Sequence, residues 1–351
     1  MGLPKFDISF QTSAIGEIGL AGKGLVALLL KDATASSGTV KVFKNLAEVN
    51  ASEYDADSYL IIEEVFKGSP LRVKVVTATE AEDFSAIQAL VLQGTPDVDY
   101  MVAPEFSADF TAMISFITTA RSTGAKVKGV FGTTGSDLEY IVDIKVSGCK
   151  DINGNSLSNQ DARVGGILAG LSPSRSATYF VIPEVVETEA HVDIDAEIDT
   201  GHLVYLNDGS KVKIARGVNS FTSFTPEKGE LFSKIKNVET MDEIRYSVRR
   251  VVEDDYVGKY TNSLDNKNLV LVAINQYLKT LADNNYLNPS FNNECILDLQ
   301  EHLDYAERNG VDTTGFNETE IKKIDTGDNL YLIINCRLLD TIEDVTIKVY
   351  L

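Results

Sequence analysis

Cysteine and histidine are scarce in this 351-residue chain, which has three of each. Cys149, Cys295 and Cys336 are far apart and show no CxxC spacing, so the sequence predicts free thiols and folding in a reduced compartment. The histidines show no HxxxH or HxxE spacing, which argues against a zinc site. The acid-rich stretches at 151–162 and 192–201 lack the glycine and glutamate that a calcium loop requires at its sixth and twelfth positions.

Long apolar runs and an excess of positive charge are also absent. No uninterrupted apolar stretch approaches the roughly 18 residues of a membrane span, and the start, MGLPKFDISF, lacks the regions of a secretory signal. The chain has 32 Lys and Arg against 52 Asp and Glu, which gives a formal net charge of −20 at pH 7. A surface of this sign repels phosphate backbones, so the sequence predicts neither a nucleic-acid partner nor a membrane partner.

Glycine is concentrated at 16–24 (GEIGLAGKG), the stretch that comes nearest to a phosphate loop. Such a loop requires Gly, four residues, then Gly-Lys-Ser/Thr. Here Gly24 follows Lys23, and Glu17 stands where the first glycine is needed. The glycines also precede the apolar run at 25–30, a predicted buried strand, whereas a phosphate loop follows its strand. Because no nucleophile, acid–base or metal pattern is present, the sequence predicts no enzymatic activity and no cofactor.

The first half of the chain alternates between strand and helix patterns. Strands are predicted at 25–30, 71–77, 100–103, 126–131 and 140–146, and helices at 57–66, 80–92 and 107–121. This alternation predicts a mostly parallel sheet with helices on both faces. The segment at 162–170 reads as a helix with small residues along one side, which would allow another backbone to approach closely.

The second half of the chain shows a different pattern of predicted secondary structure. A hairpin is predicted around Asn207-Asp208-Gly209, helices at 241–256 and 269–282, and alternating strands at 330–338 and 345–351. Thr240 and Glu243 have the spacing of a capping box at the start of the first of these helices. The predicted fold class is therefore α/β plus α+β. The expected domains are an N-terminal arm and hinge at 1–22, an α/β domain at 23–178, a smaller α+β domain at 179–340 and a C-terminal arm at 341–351.

Both ends of the chain carry apolar residues at alternate positions: Phe6, Ile8 and Phe10 near the start, and Val345, Ile347 and Val349 near the end. Each pattern predicts a strand with one buried face. Two interpretations of the C-terminal strand are open, since it can be an edge strand of its own domain or can add to the sheet of a neighbouring subunit.

A second candidate contact is a charged stretch on the helix predicted at 241–256. Arg249 and Arg250 form the densest basic spot of the chain, and Glu253, Asp254 and Asp255 follow them. These charges can pair within the helix at i,i+4 spacing, or they can dock against opposite charges of a neighbouring subunit.

Several segments together resemble a known family: GLPKFDISFQTSA (2–14), GKGLVALLLKD (22–32), ARVGGILAGLSPSRSAT (162–178), LNDGSKVKIARGVNSFTSF (206–224) and DDYVGKYTNSLDNKNLVLVAINQYLKTL (254–281). They resemble the tail sheath proteins of contractile phages, and are most similar to the short sheath type of Gram-positive prophages and phage-tail-like bacteriocins. The similarity extends over nearly the whole chain.

The resemblance implies a non-enzymatic subunit that stacks as hexameric rings around an inner tube and contracts to drive the tube through a cell envelope. It implies as partners further copies of the chain, a tail tube protein, and baseplate and tail terminator proteins. It also implies a virion or tail-like particle assembled in the cytoplasm of a bacterial host. The two alternating segments become arms that link neighbouring subunits, and 16–24 becomes a hinge behind the first arm.

The alternative is a doubly wound α/β enzyme that binds a nucleotide or a small acid at the carboxyl ends of its strands. The turns after the predicted strands at 71–77 and 100–103 read Ala-Thr-Glu and Pro-Glu. Neither is a glycine-rich phosphate turn, which argues against this alternative.

Overall fold

The structure, a computed structural model, describes residues 24–350 and divides them into two compact units. The first unit comprises 24–246 together with 340–350, and the second comprises 247–339. The division falls within a helix, between residues 246 and 247. The expected domain boundary between 178 and 179 stays a prediction. Phe6, Ile8 and Phe10 lie outside the described residues.

The first unit is built on a seven-stranded sheet. Its strands are β1 (Leu25–Lys31), β2 (Val40–Phe43), β3 (Arg72–Ala78), β4 (Tyr100–Val102), β5 (Lys128–Gly132), β6 (Ile141–Ile144) and β7 (His202–Leu203). They lie in the order β2-β3-β1-β4-β5-β6-β7, and every neighbouring pair is parallel except β2 with β3. The predicted mostly parallel sheet is confirmed, although the antiparallel edge strand β2 was not predicted.

Helices cover both faces of this sheet, as the alternation predicts. They are α1 (Ala56–Lys67), α2 (Phe84–Val91), α3 (Phe110–Ser122), α4 (Gln160–Gly170), α5 (Ile194–Asp199) and α6 (Ile235–Val251), and a hairpin of β8 (Tyr205–Asn207) and β9 (Val212–Ile214) follows β7. One hydrophobic core lies between the sheet and α1 with α4, and a second lies between the sheet and α2 with α3. Because both faces are covered, β1 is apolar at six successive positions and almost fully buried.

Close packing of α4 against α1 depends on glycine. A Cβ atom on Gly166 would lie 2.0 Å from the Val65 carbonyl oxygen, and one on Gly68 would lie 2.1 Å from the Gly166 carbonyl carbon. The small residues predicted to admit another backbone therefore do so at this contact.

Gly24, the last residue of the hinge expected at 16–24, is held in place by packing and a hydrogen bond. Gly24 has φ +118°, a conformation that L side chains rarely adopt, and it is buried. Its N–H donates to Asp99 Oδ2 at 2.7 Å, and a Cβ atom would lie 2.7 Å from Leu71 Cβ. Residues 16–23 lie outside the described part of the chain.

Buried charges hold α6 to the α3 and β5 elements of the first unit. The Arg121 guanidinium donates to both carboxylate oxygens of Asp242 at 3.0 and 2.6 Å, and Lys128 Nζ lies 3.3 Å from Asp242 Oδ2. Burial raises the pKa of Asp242, but the charges of Lys128 and Arg121 lower it further, so its pKa lies below the ordinary value. Asp242 is therefore a carboxylate that stabilises two buried cations.

The helix α6 begins earlier than the sequence predicts. It starts at Ile235 rather than near residue 241, so Thr240 lies inside the helix and is buried. Its hydroxyl donates to the Lys236 carbonyl oxygen at 3.1 Å instead of accepting a backbone N–H. The predicted capping box at Thr240 and Glu243 is therefore wrong, because tertiary burial decides where this helix begins.

The second unit contains the end of α6, a π-helical turn (Val252–Tyr256), α7 (Leu264–Asp283), β10 (Glu294–Leu297), α8 (Leu299–Arg308), α9 (Glu318–Lys322) and β11 (Leu332–Asn335). The strands β10 and β11 pair antiparallel as a two-stranded sheet. The helix α7 begins five residues before its predicted start at 269, because Ser263 caps it by accepting the N–H of Asn266. Across residues 24–350, no helix is both long enough and apolar enough to span a membrane.

Candidate intersubunit surfaces

The C-terminal segment of the first unit is fixed at its root by polar contacts. Glu343 Oε1 accepts hydrogen bonds from Ser176 Oγ at 2.7 Å and Thr178 Oγ1 at 2.8 Å. Glu343 Oε2 lies 3.2 Å from Arg216 Nε, and Asp344 Oδ2 lies 2.6 Å from Arg216 Nη2. These contacts hold an acidic stretch of the tail against the body of the unit.

A further ion pair fixes the same stretch at its first residue. Lys234 Nζ lies 2.6 Å from Asp340 Oδ2. We call residues 340–344, with Ser176, Thr178, Arg216 and Lys234, the tail clamp. Burial of Glu343 raises its pKa, but the hydrogen bonds from Ser176 and Thr178 and the nearby cations lower it more, so the pKa lies below its ordinary value.

We expect Glu343→Gln to loosen the tail clamp, because the variant loses the charge that Arg216 pairs with. Hydrogen bonds to charged groups contribute about 1.5–3 kcal/mol each. Backbone 15N relaxation should show order parameters at 340–344 falling from about 0.85 to below about 0.6. Because the folded-state pKa is lowered, the clamp is complete at neutral pH, and the wild type should resemble the variant only after the pH has fallen through that lowered pKa.

The matched control is Asp344→Asn, since the Asp344 side chain is 83% exposed whereas that of Glu343 is 8% exposed. This variant should change the order parameters much less. Equal mobility of residues 340–344 in the wild type and the Glu343→Gln variant would contradict the clamp.

Beyond the clamp the tail is apolar and exposed. Val345, Ile347 and Val349 are 69%, 78% and 75% exposed, and Tyr350 is 89% exposed. Residues 345–350 form no strand within the described chain, so the strand predicted for 345–351 is absent from the single chain. The reason is that a strand needs a partner edge for its backbone hydrogen bonds, and no described strand pairs with this segment.

The two-stranded sheet of the second unit has one closed edge and one open edge. The Cys295 N–H donates to Asn275 Oδ1 at 2.7 Å, and Asn275 Nδ2 donates to the Cys295 carbonyl oxygen at 3.0 Å. The side chain of Asn275, on α7, therefore closes the outer edge of β10.

The open edge belongs to β11. Cys295 pairs with Ile334, and since the Cys295 backbone groups point away from β11, those of Ile334 point away from β10. Leu332, two residues earlier, has the same orientation. No other strand of residues 24–350 pairs with this edge. A strand could therefore be added alongside β11 by main-chain hydrogen bonds.

The charged stretch of α6 forms pairs within its own helix. Arg249 Nε lies 2.6 Å from Glu253 Oε1, and Arg250 Nε lies 4.0 Å from Asp254 Oδ2, both at i,i+4 spacing and exposed. Asp255 follows on the same π-helical turn and belongs to neither pair. In the single chain these charges therefore pair at i,i+4 spacing, which is the first of the two interpretations. Docking of the same charges to a neighbouring subunit stays a prediction.

The carboxyl ends of β1 and β4 are where a doubly wound enzyme would bind its ligand. There Asp32 Oδ1 accepts the backbone N–H groups of Thr34 and Ala35, and Glu105 Oε2 accepts that of Lys31 at 2.7 Å. The N–H groups that a phosphate would need are thus occupied by carboxylates of the chain itself. This edge gives the enzyme alternative no support.

Comparison with known proteins shows the family of the chain. A family model described as the phage tail sheath C-terminal domain matches residues 227–351. The tail sheath protein of Clostridium phage phiCD119 is 31% identical to this chain, over 99% of both chains. This chain belongs to the tail sheath protein family. The resemblance predicted from the sequence is confirmed.

Solved structures show that the fold of this tail sheath protein is shared. The crystal structure of the sheath tail protein from Desulfitobacterium hafniense matches with a TM-score of 0.67 at 16% identity, covering 84% of this chain and 94% of that chain. The cryo-EM structure of the contracted helical sheath of the anti-feeding prophage matches with a TM-score of 0.70 at 12% identity, covering 100% and 99%. The mixed α/β fold class is confirmed.

The sequence does not predict the tail clamp of this sheath protein. Its members come from positions as far apart as 176 and 344, and no spacing rule connects them. The local signal is the acidic group at Asp340, Glu343 and Asp344, which stands directly before the alternating apolar tail.

Proposed function

We propose that this tail sheath protein polymerises as stacked hexameric rings around an inner tube and contracts to drive the tube through a cell envelope. The observation that carries the proposal is the exposed tail at 345–350, whose apolar residues alternate but have no strand partner among the described residues. Such a segment is unfavourable in water, and adding it to the sheet of another subunit buries the apolar face and satisfies its backbone.

The open edge of β11 is the proposed acceptor for a linking strand from a second copy. Its outward N–H and C=O groups at Leu332 and Ile334 provide the main-chain partners. An exposed edge of this kind is a template for intermolecular pairing, and native proteins normally cover it. The tail clamp fixes the root of the donor strand, which reduces the number of conformations lost on association.

Contraction in this proposal needs no nucleotide. The energy is stored in contacts between rings, and about 1.4 kcal/mol per subunit already favours one state tenfold. The remaining proposed partners are a tail tube protein inside the sheath and baseplate and tail terminator proteins at its ends. Assembly is proposed to take place in the cytoplasm of the bacterial host.

Electron microscopy of the purified protein tests this function. We expect rings or tubes in negative stain, and we expect extended tails to contract on mild acid or denaturant treatment without ATP. Uniform small particles at high concentration would contradict polymerisation, and a strict ATP requirement in purified tails would contradict the stored-energy mechanism.

We expect the double variant Arg249→Glu, Arg250→Glu to keep the monomer fold but to prevent extended-sheath assembly or trigger early contraction. The fold should survive because exposed ion pairs contribute only ~0.2–1 kcal/mol. Assembly should fail because subunits with a net charge of −20 repel one another unless basic patches meet acidic ones. Circular dichroism reports the fold, and electron microscopy reports sheath length and diameter.

The control for this variant is Arg308→Glu, on α8, which is likewise exposed and lies near an acidic side chain, Glu301, at 3.4 Å. Each Arg→Glu substitution, here or at 249 and 250, makes the net charge of the subunit more negative by two units. Normal assembly of the Arg308→Glu variant would therefore show that the position of the charge matters and not only the net charge. Normal extended sheaths in the Arg249/Arg250 variant would show that these side chains form only a solvated helix face.

A further inference from the structure

A cavity of about 360 Å³ opens on the second unit, between the first turn of α7 and the end of α9 with the loop that follows it. Three lysines lie in its wall: Lys267, Lys322 and Lys323. Of the described residues in this wall, Asp325 alone carries a carboxylate. A chain with a net charge of −20 therefore has a cluster of positive charge at this cavity.

Lys267 is the buried member of this cluster, at 3% exposed. Its Nζ lies 3.1 Å from Thr326 Oγ1, and 3.4 Å from both the Ile324 carbonyl oxygen and His302 Nε2. Ordinary hydrogen bonds from nitrogen to oxygen are about 2.7–3.2 Å long, so the contacts at 3.4 Å are weak. The ammonium group is therefore buried with one good acceptor.

All three of these partners are neutral. The Thr326 hydroxyl and the Ile324 carbonyl group carry no charge, and burial lowers the pKa of His302, so its ring is neutral at pH 7. Among residues 24–350, no carboxylate forms an ion pair with Lys267. Burial lowers the pKa of Lys267, and the charge of Asp325 offsets this only in part. Because buried charges in proteins are normally paired, this ammonium group lacks a counter-ion.

The other two lysines of the wall are more exposed. Lys322 Nζ lies 2.5 Å from Glu318 Oε1, so its charge is already paired. Lys323 is exposed and forms no ion pair with any residue of 24–350. The first turn of α7 adds the partial positive charge of a helix N-terminus. Two cations of the cavity, one buried and one exposed, are thus available to an anion.

The chemistry of this wall suits a phosphate group. A phosphate monoester carries about −1.5 to −2 charges at pH 7 and three acceptor oxygens, which is enough to pair with two lysines at once. A volume of about 360 Å³ is many times the ~30 Å³ share of one water molecule, so the group fits with several waters. The net charge of the chain repels long polyanions, but charges more than about 8 Å away are largely screened at physiological salt.

We infer that this cavity binds a phosphate group, with Lys267 Nζ donating a hydrogen bond to one of its oxygens and Lys323 pairing with another. Free phosphate and small phosphate monoesters share this chemistry, and the volume of the cavity admits both. Binding supplies the counter-ion that Lys267 lacks. The site lies within one subunit, so the inference does not depend on the proposed polymerisation.

Equilibrium dialysis of the full-length protein against 32P-labelled inorganic phosphate tests this inference, with sodium chloride holding the ionic strength constant. We expect saturable binding that approaches one phosphate per chain. Dialysis counts bound phosphate in monomers and in tubes alike, so the result is independent of assembly. Unlabelled glycerol phosphate distinguishes the two sources: it should compete more strongly than unlabelled phosphate if the site prefers a monoester, and more weakly if it prefers the free ion.

Lys267→Met keeps the approximate length of the side chain and removes its charge. We expect this variant to bind phosphate about ten- to a hundredfold more weakly, the effect of one hydrogen bond to a charged group. The matched control is Lys279→Met, which removes an exposed lysine of the same helix about 18 Å further along and should bind like the wild type.

Lys323→Met keeps the test decisive if circular dichroism shows that Lys267→Met does not fold. This exposed substitution should weaken phosphate binding about two- to fivefold, the effect of one exposed ion pair. Absence of saturable binding to the wild type at constant ionic strength would overturn the inference. Equal affinities of wild type and Lys267→Met would overturn it too, as would an equal loss in Lys279→Met, which would indicate a general effect of net charge.

Discussion

Deleting residues 345–351 is expected to leave a folded monomer that cannot assemble into sheath. Val345, Ile347 and Val349 are exposed, and no described strand pairs with the tail, so its removal costs the single chain little. The tail clamp ends at Asp344 and remains intact. In the assembled state the same residues supply main-chain hydrogen bonds and an apolar face, so assembly should be lost completely. Circular dichroism and thermal unfolding report the monomer, and negative-stain microscopy reports the tubes.

A matched substitution separates the apolar face from the length of the tail. Changing Val345, Ile347 and Val349 together to Ser keeps the backbone donors and acceptors but removes the apolar side chains. We expect the same loss of tubes. Ile152→Ser, which removes an 81% exposed apolar side chain outside the tail, should assemble normally. Loss of monomer folding on deletion would show instead that the tail belongs to the core of its own domain.

Asp242→Ala is expected to reduce the free energy of unfolding by about 3–5 kcal/mol, the cost of leaving buried charges unpaired. Asp242 faces Arg121 and Lys128, and the three side chains are 7%, 9% and 4% exposed. Removing the carboxylate leaves two buried cations without the partner that they share. Urea unfolding of the monomer measures the loss, which is a substantial fraction of the roughly 5–15 kcal/mol by which a typical domain is stable.

The control for this variant is Glu53→Ala, which breaks an exposed pair with Lys41 at 2.6 Å. Pairs of this kind are worth ~0.2–1 kcal/mol, so the change should be small. Because the pKa of Asp242 is lowered in the folded state, its contribution is present at neutral pH and is lost as the pH falls through that lowered value. A loss below about 1 kcal/mol for Asp242→Ala would contradict a stabilising role of the buried carboxylate.

The sequence was sufficient wherever a local pattern fixes the structure. The apolar run of β1 and the alternation of strand and helix predicted a mostly parallel sheet covered on both faces, since a strand in such a sheet buries its side chains on both sides. The small residues of α4 predicted the close contact with α1. The segments that resemble tail sheath proteins indicated the family, which the curated relative confirms.

Long-range contacts were decided only by the tertiary structure. The start of α6 was missed because Thr240 looks like a cap in sequence but is buried in the fold, where its hydroxyl binds a carbonyl group. The tail clamp joins Ser176 and Arg216 to Glu343, and no periodicity links positions so distant in the chain. The open edge of β11 follows from the amide of Asn275 closing β10, a contact between side chain and backbone that the spacing of residues does not encode. Local periodicity determines which segments become strands and helices, whereas three-dimensional packing determines which polar groups and edges are left for a partner.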